Sequence, residues 1–187
     1  VNFTGKHYIV KDARIIPPPP RGTMPLYIGG FTEKAMERVA NYADGYLGNV
    51  EVCDLYLEKL KQHGKDPAQA AIRIPGLFLA VAEDPEKAME ELAPYYHHVY
   101  TCYGAWMNED HALGMDRAMD PMELDGFKQS GILQILTPEQ AVTHFKALKE
   151  QMPVEHYMMM RPPGLPATRF IEYAELFAAK VIPAVNC

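Results

Sequence analysis

The stretch from Met24 to Val50, MPLYIGGFTEKAMERVANYADGYLGNV, decides how the whole chain is read. Pro25 to Gly30 is a short apolar run ending in two glycines, the pattern of a strand buried on both faces. Thr32 then offers a hydroxyl to the unpaired N–H groups of a first helical turn. Ala35, Met36, Val39, Ala40 and Ala43 recur at helical spacing, Gly45 ends the helix, and GYLGNV is the next strand candidate. Glycine lets the backbone take positive φ and lets a ligand approach closely. A helix N-terminus adds unpaired N–H groups and a partial positive charge. The junction at Gly29 and Gly30 is therefore either a tight strand-to-helix turn or a phosphate cradle, and these residues alone leave both open.

The same alternation continues toward the C-terminus. Val52 to His63 predicts a second amphipathic helix, with Val52, Leu55, Tyr56 and Leu60 as its apolar face and Gly64 as its stop. IRIPGLFLAVAED, Ile72 to Asp84, is the longest strand candidate, with Pro75 and Gly76 marking its start or a bulge. Pro85 begins a helix through Met89 and Leu92, extending toward Tyr100. Residues 101–136 are the least regular part. Thr137-Pro138-Glu139-Gln140 is a helix start, with Thr as cap and Pro at the first helical position. HYMMM, 156–160, reads as the last strand and Phe170 to Val181 as a closing helix. About four strands, each followed by a helix, imply parallel strands with helical crossovers. A closed barrel of this kind needs eight.

Before Met24 lies a loop-rich lead-in, residues 1–24. Thr4-Gly5-Lys6 is a turn between apolar flanks and predicts a short hairpin. PPPP at 17–20 predicts a stiff, extended spacer. Val1 falls in mid-pattern, which favours a chain that is part of a longer protein.

Of the 187 residues 48% are hydrophobic and 22% charged, as in an ordinary globular protein, so disorder is not the leading reading. The net charge of -6 comes without any Lys or Arg run, which argues against nucleic acid or an anionic membrane as partner. The longest apolar runs are far too short to span a bilayer. Three cysteines, Cys53, Cys102 and Cys187, lack the spacing of a disulfide framework or zinc site, and a reduced cytoplasmic setting fits them. His97 and His98 are adjacent, so on a helix they point apart and make no two-histidine metal face. Asp110, His111 and Asp116 match no metal geometry. The segment 101–120 holds the only Trp. There Trp106, Met107, Met115 and Met119 are either the lining of an apolar substrate pocket or a surface insertion.

Four segments in order carry a resemblance. NFTGKHY followed by prolines and PLYIGG, then EKAMERVANYADGYLGN, LTPEQAVTHFKAL, and PPGLP with FAAKVIPAV are similar to the luciferase-like flavin monooxygenases. Leu136 departs from the pattern, standing where a Gly is usual, and residues 85–130 match least. The resemblance implies a TIM-type (β/α)8 barrel in which PLYIG is strand five and HYMMM strand eight. The α/β chain would then be its C-terminal half, residues 25–187, with a variable insertion at about 101–136. It implies that Gly29, Gly30, Phe31 and Thr32 contact the phosphate of FMN, or of a deazaflavin. Phe31 stands where many relatives carry a small polar residue, which leaves any hydroxyl contact to Thr32. Arg161 follows strand eight and so would lie at the catalytic face, to bind an anion or pair with a carboxylate.

The implied function is oxidation of an apolar organic substrate by reduced FMN and oxygen. The alternatives are hydride transfer with a deazaflavin, or a non-catalytic flavin-binding subunit. Four parallel strands alone leave two open edges, so the expected partners are the N-terminal half of the barrel or a second copy, with a flavin reductase as a further one. No catalytic acid or base is named by the sequence.

Overall fold

The computed structural model describes residues 1–14, 16–20, 22–112 and 119–186. The expected hairpin is present: β1 (Phe3–Thr4) pairs antiparallel with β2 (Ile9–Val10). The proline run bends instead of extending, and the Gly22 N–H donates to the Pro19 carbonyl at 2.9 Å. Alternation follows: β3 (Tyr27–Ile28), α1 (Glu33–Tyr42), β4 (Gly45–Leu47), a 3-10 turn at Val50–Val52, α2 (Cys53–Gln62) and β5 (Ile72–Gly76). Then come β6 (Leu79–Val81), α3 (Pro85–Ala112), α4 (Leu124–Gln129), β7 (Gln134–Leu136), α5 (Pro138–Gln151) and β8 (Val154–Met159). The chain closes with α6 (Ala167–Leu176), a π-helical turn at Phe177–Val181 and α7 (Ile182–Asn186).

Strands β3, β4, β5 and β8 form one parallel sheet in that order, and β6 pairs with β7 in a second, two-stranded one. The four-strand count holds for the main sheet. Its outer face is covered by helices: Met36, Val39 and Ala40 of α1, Tyr56 and Leu60 of α2, and Phe145 and Leu148 of α5 pack on Tyr46, Ile72 and Ile74. Full burial of a side chain such as Met36 or Ile72 contributes about 1.5–3 kcal/mol. A second core joins β6 and α3 to α4 through Leu92, Tyr96, Phe127, Leu133 and Leu165.

Local chemistry sets the helix ends. Thr32 caps α1, its Oγ1 accepting the Ala35 N–H at 3.2 Å. Thr137 and Gln140 form a reciprocal capping box on α5, with Pro138 in the first turn. Gly64 follows α2 at φ 70°, with Lys65 N–H donating to Leu60 O.

Three further expectations are corrected. IRIPGLFLAVAED is not one strand: Leu77 N–H turns back to the Pro75 carbonyl at 2.8 Å, and the chain leaves β5 to begin β6 in the other sheet. Gly45 opens β4 instead of ending α1, which stops at Tyr42 because Ala43 is already extended. The region 101–136 is more regular than its sequence implies, since α3 runs on to Ala112 and both α4 and β7 lie within it.

Candidate functional site

Gly30 sits just past β3 with φ 142°, a conformation that side-chain-bearing residues rarely adopt. A Cβ there would meet Ala35 Cβ at 2.4 Å, and one at Gly29 would meet the Leu47 carbonyl at 2.9 Å. Both glycines are thus required by close packing of β3 on α1 and β4. The Tyr46 hydroxyl locks the turn by donating to the Gly30 carbonyl at 3.2 Å. Phe31, Thr32, Glu33 and Lys34 are exposed, so the first turn of the ten-residue α1 opens to solvent. Glu33 places a carboxylate in that turn, and Lys59, only 8% exposed, pairs with it at 2.7 Å.

The sheet's inner face carries a polar cluster that the sequence reading missed. Tyr27 Oη donates to Glu155 Oε2 at 2.6 Å, and Arg73 Nε donates to the same oxygen at 3.0 Å. The Arg73 guanidinium lies 3.8 Å over the Tyr27 ring, and His156 Nε2 is 3.6 Å from Glu155 Oε1. Hydrogen bonds from Arg73 and Tyr27 lower the Glu155 pKa to about 2. The Tyr27 ring reaches Glu155 across Gly45, where a Cβ would strike Tyr27 Cε1 at 2.4 Å. The cluster lies at the strands' N-terminal halves, the end associated with stability in parallel barrels.

Other residues singled out from sequence are dispersed. Trp106 and Met107 lie on α3, where Trp106 is 58% exposed and makes an edge contact with Tyr103. They stand about ten residues, or ~15 Å of helix, beyond Tyr96, whose hydroxyl donates to Met160 O at the end of β8. Arg161 follows that strand end and is exposed. Met119 packs at the edge of the second core. Met115, Asp116 and Cys187 lie outside the described residues. His97 Nε2 donates to the Met122 carbonyl at 2.6 Å while His98 faces Cys102, so the two rings do point apart. Asp44 is structural: its carboxylate accepts the Leu26 N–H at 2.7 Å, tying β3 to β4. Among the described residues no group of three or more His, Cys, Asp or Glu could hold a metal, and no helix is long and apolar enough to cross a membrane.

The model of the luciferase-like monooxygenase family matches residues 1–156. The chain belongs to the luciferase-like monooxygenase family. Solved structures share its fold at low identity. An F420-dependent secondary alcohol dehydrogenase, in complex with an F420-acetone adduct, is 19% identical at TM-score 0.64. There the match covers 99% of this chain and 56% of that one. The coenzyme F420 dependent tetrahydromethanopterin reductase from Methanopyrus kandleri is 18% identical at TM-score 0.60, covering 98% and 57%. EDTA monooxygenase from Chelativorans sp. BNC1 is 13% identical at TM-score 0.62, covering 100% and 50%. The chain spans about half the length of these structures. Its four parallel strands form part of the luciferase-like barrel.

For a luciferase-like chain the donor set at the start of α1 can be judged by its own chemistry. Backbone amides of an exposed first turn and the Thr32 hydroxyl suit a phosphate, and the Lys59 ammonium offsets the Glu33 carboxylate. Phe31 brings only a half-open aromatic face, 44% exposed. The residues fit a phosphate through backbone and hydroxyl donors, with no arginine clamp in the turn.

Proposed function

We propose that the chain is the cofactor-phosphate-binding part of a flavin-dependent oxidoreductase that acts with reduced FMN and oxygen on an apolar organic substrate. The match of residues 1–156 to the luciferase-like monooxygenases carries this reading. FMN, when bound, supplies the redox chemistry. In this reading Gly29 and Gly30 bring the backbone close to the phosphate, the first-turn amides of α1 and the Thr32 hydroxyl donate to it, and Phe31 borders it. Lys59 pairs with Glu33 at 2.7 Å and so offsets the carboxylate in that turn. Trp106, Met107 and Arg161 remain candidates for the substrate side.

FMN fluorescence quenching tests the reading. Wild-type chain is expected to quench saturably, and Gly30→Glu, which puts a carboxylate at the turn, to abolish it. Equal FMN affinity in the two would overturn the phosphate assignment. A second reading, hydride transfer with a deazaflavin, is favoured by two structural neighbours whose names carry coenzyme F420. Competition between FMN and F420 for the same chain separates the two.

A further inference from the structure

We propose that the groove over β5, between α5 and the 3-10 turn that follows β4, binds a neutral aromatic molecule carrying one O–H or N–H group. This goes beyond the flavin-dependent reading above and does not rest on it.

The groove is built where β5 ends. In β8, Glu155 and His156 together oppose Arg73, a bulge that brings Tyr157 level with Ile74 on the helix-covered face. The Tyr157 ring meets Phe145 of α5 at 4.7 Å and lies across Gly76, where a Cβ would stand 2.6 Å from its Oη. At Leu77 the chain turns out of the sheet toward β6, and a cavity of about 570 Å³ opens there. That volume is in the range of small-molecule pockets. Buried Ile74 and Leu148 form its base, and half-buried Phe78 and Ile132 add to its lining.

Two polar groups in this cavity are unused. The His144 ring, edge-on to Phe145 at 5.1 Å, and the Tyr157 hydroxyl both line it. Among the described residues neither has a hydrogen-bond partner. Burial pushes the His144 pKa below its ordinary value and that of Tyr157 up to about 12, so both are neutral at neutral pH. A neutral imidazole offers one acceptor nitrogen, and a phenol both donates and accepts. An O–H or N–H on the ligand satisfies the imidazole, while its ring packs on Phe78 and Tyr157. The exposed residues of the lining include the amides of Asn49, Gln134 and Gln151. Glu51 is the one charged residue among the described lining residues, so a phosphate or carboxylate would meet repulsion and no cation.

Strands added to the sheet do not reach this groove. β4 and β5 are inner strands, and the open edges are β3 and β8. A strand pairing with either edge extends the sheet sideways, whereas the groove opens over β5 on the side of α5. Trp106, Met107 and Arg161, the candidates for the substrate side, are not among its lining residues.

The test is NMR on the purified chain with isotope-labelled histidine and tyrosine rings and phenol as probe. His144→Phe and Tyr157→Phe assign the two signals. Both signals are expected to shift saturably with phenol. His144→Phe, which keeps the bulk of the ring and removes its nitrogens, is expected to weaken phenol binding about tenfold. Toluene, which lacks the donor, and benzoate, which carries a charge, are expected to bind wild type about tenfold more weakly than phenol. Ala147 is exposed in the lining, so Ala147→Trp fills the groove from the surface and is expected to abolish the shifts. Phenol binding that survives Ala147→Trp overturns the proposal, as does equal binding of toluene or benzoate, or no saturable shift. Shifts that follow chain concentration in place of phenol give the groove to a second copy and overturn it too.

Discussion

At Gly30 a single methyl group is enough to expose two constraints at once. Ala there would need φ near 142° and would strike Ala35, so Gly30→Ala is expected to cost about 1–3 kcal/mol in urea unfolding. Gly64→Ala meets only the φ penalty, about 1 kcal/mol, because nothing lies within 4 Å of its added Cβ. Glu155 carries the pH dependence. Its carboxyl protonates near pH 2 in the fold against an ordinary 4.5. The stability from Arg73 and Tyr27 is therefore complete above pH 4.5 and drains as pH falls toward 2. Urea midpoints of Glu155→Gln should show a flatter slope across that window than wild type. The Cys53 thiol, buried and pushed up to about 12, should resist iodoacetamide at neutral pH while half-exposed Cys102 labels, as peptide mass mapping would show. The glycine pair and both threonine caps were legible in the sequence because each acts on its nearest neighbours. The Tyr27–Glu155 bond joins residues 128 positions apart, and no local pattern marks it.

The elements follow the same division. Strands β3, β4 and β8 and helices α1, α2 and α5 were legible because their caps and apolar periods agree with their burial. The α5 start shows it best, since Thr137, Pro138 and Gln140 each satisfy the first turn in a different way. Thr137→Ala is expected to cost about 1 kcal/mol, read as a lower thermal midpoint, and Thr137→Ser to restore most of it. The break between β5 and β6 was hidden because Leu77–Val81 is as apolar as a continuing strand, and pairing with β7 decides where it goes. The bulge in β8 was hidden for a related reason: VEHYMM has the composition of a strand in either register, and only the core's demand for Tyr157 fixes it. In that bulge Glu155 and His156 together oppose Arg73 of β5, so deleting His156 is expected to restore regular alternation, to leave Tyr157 and Met158 on their present faces and to keep the near-ultraviolet dichroism of Tyr157 against Phe145.

The whole molecule presents a parallel sheet helix-covered on one face, with β3 and β8 as its edges. Unpaired edge groups beside apolar Leu47 and Met158 favour association of copies. Sedimentation velocity is expected to show mass rising with concentration, and His156→Lys, an inward charge on the edge strand, to suppress it. The family was legible from four spaced segments, while the assembly was not, because nothing local in a sequence reports what meets an edge. The Tyr27 side chain spans the sheet from one edge to the other, over Gly45 and against Arg73, to reach Glu155. A sheet laced across its hollow side keeps its arc when alone. A strand that paired with either edge would meet a sheet already held in shape, and little ordering entropy would be left to that step. A side chain at Gly45 would then act at a distance, loosening the fit at both edges though none of its atoms reaches either.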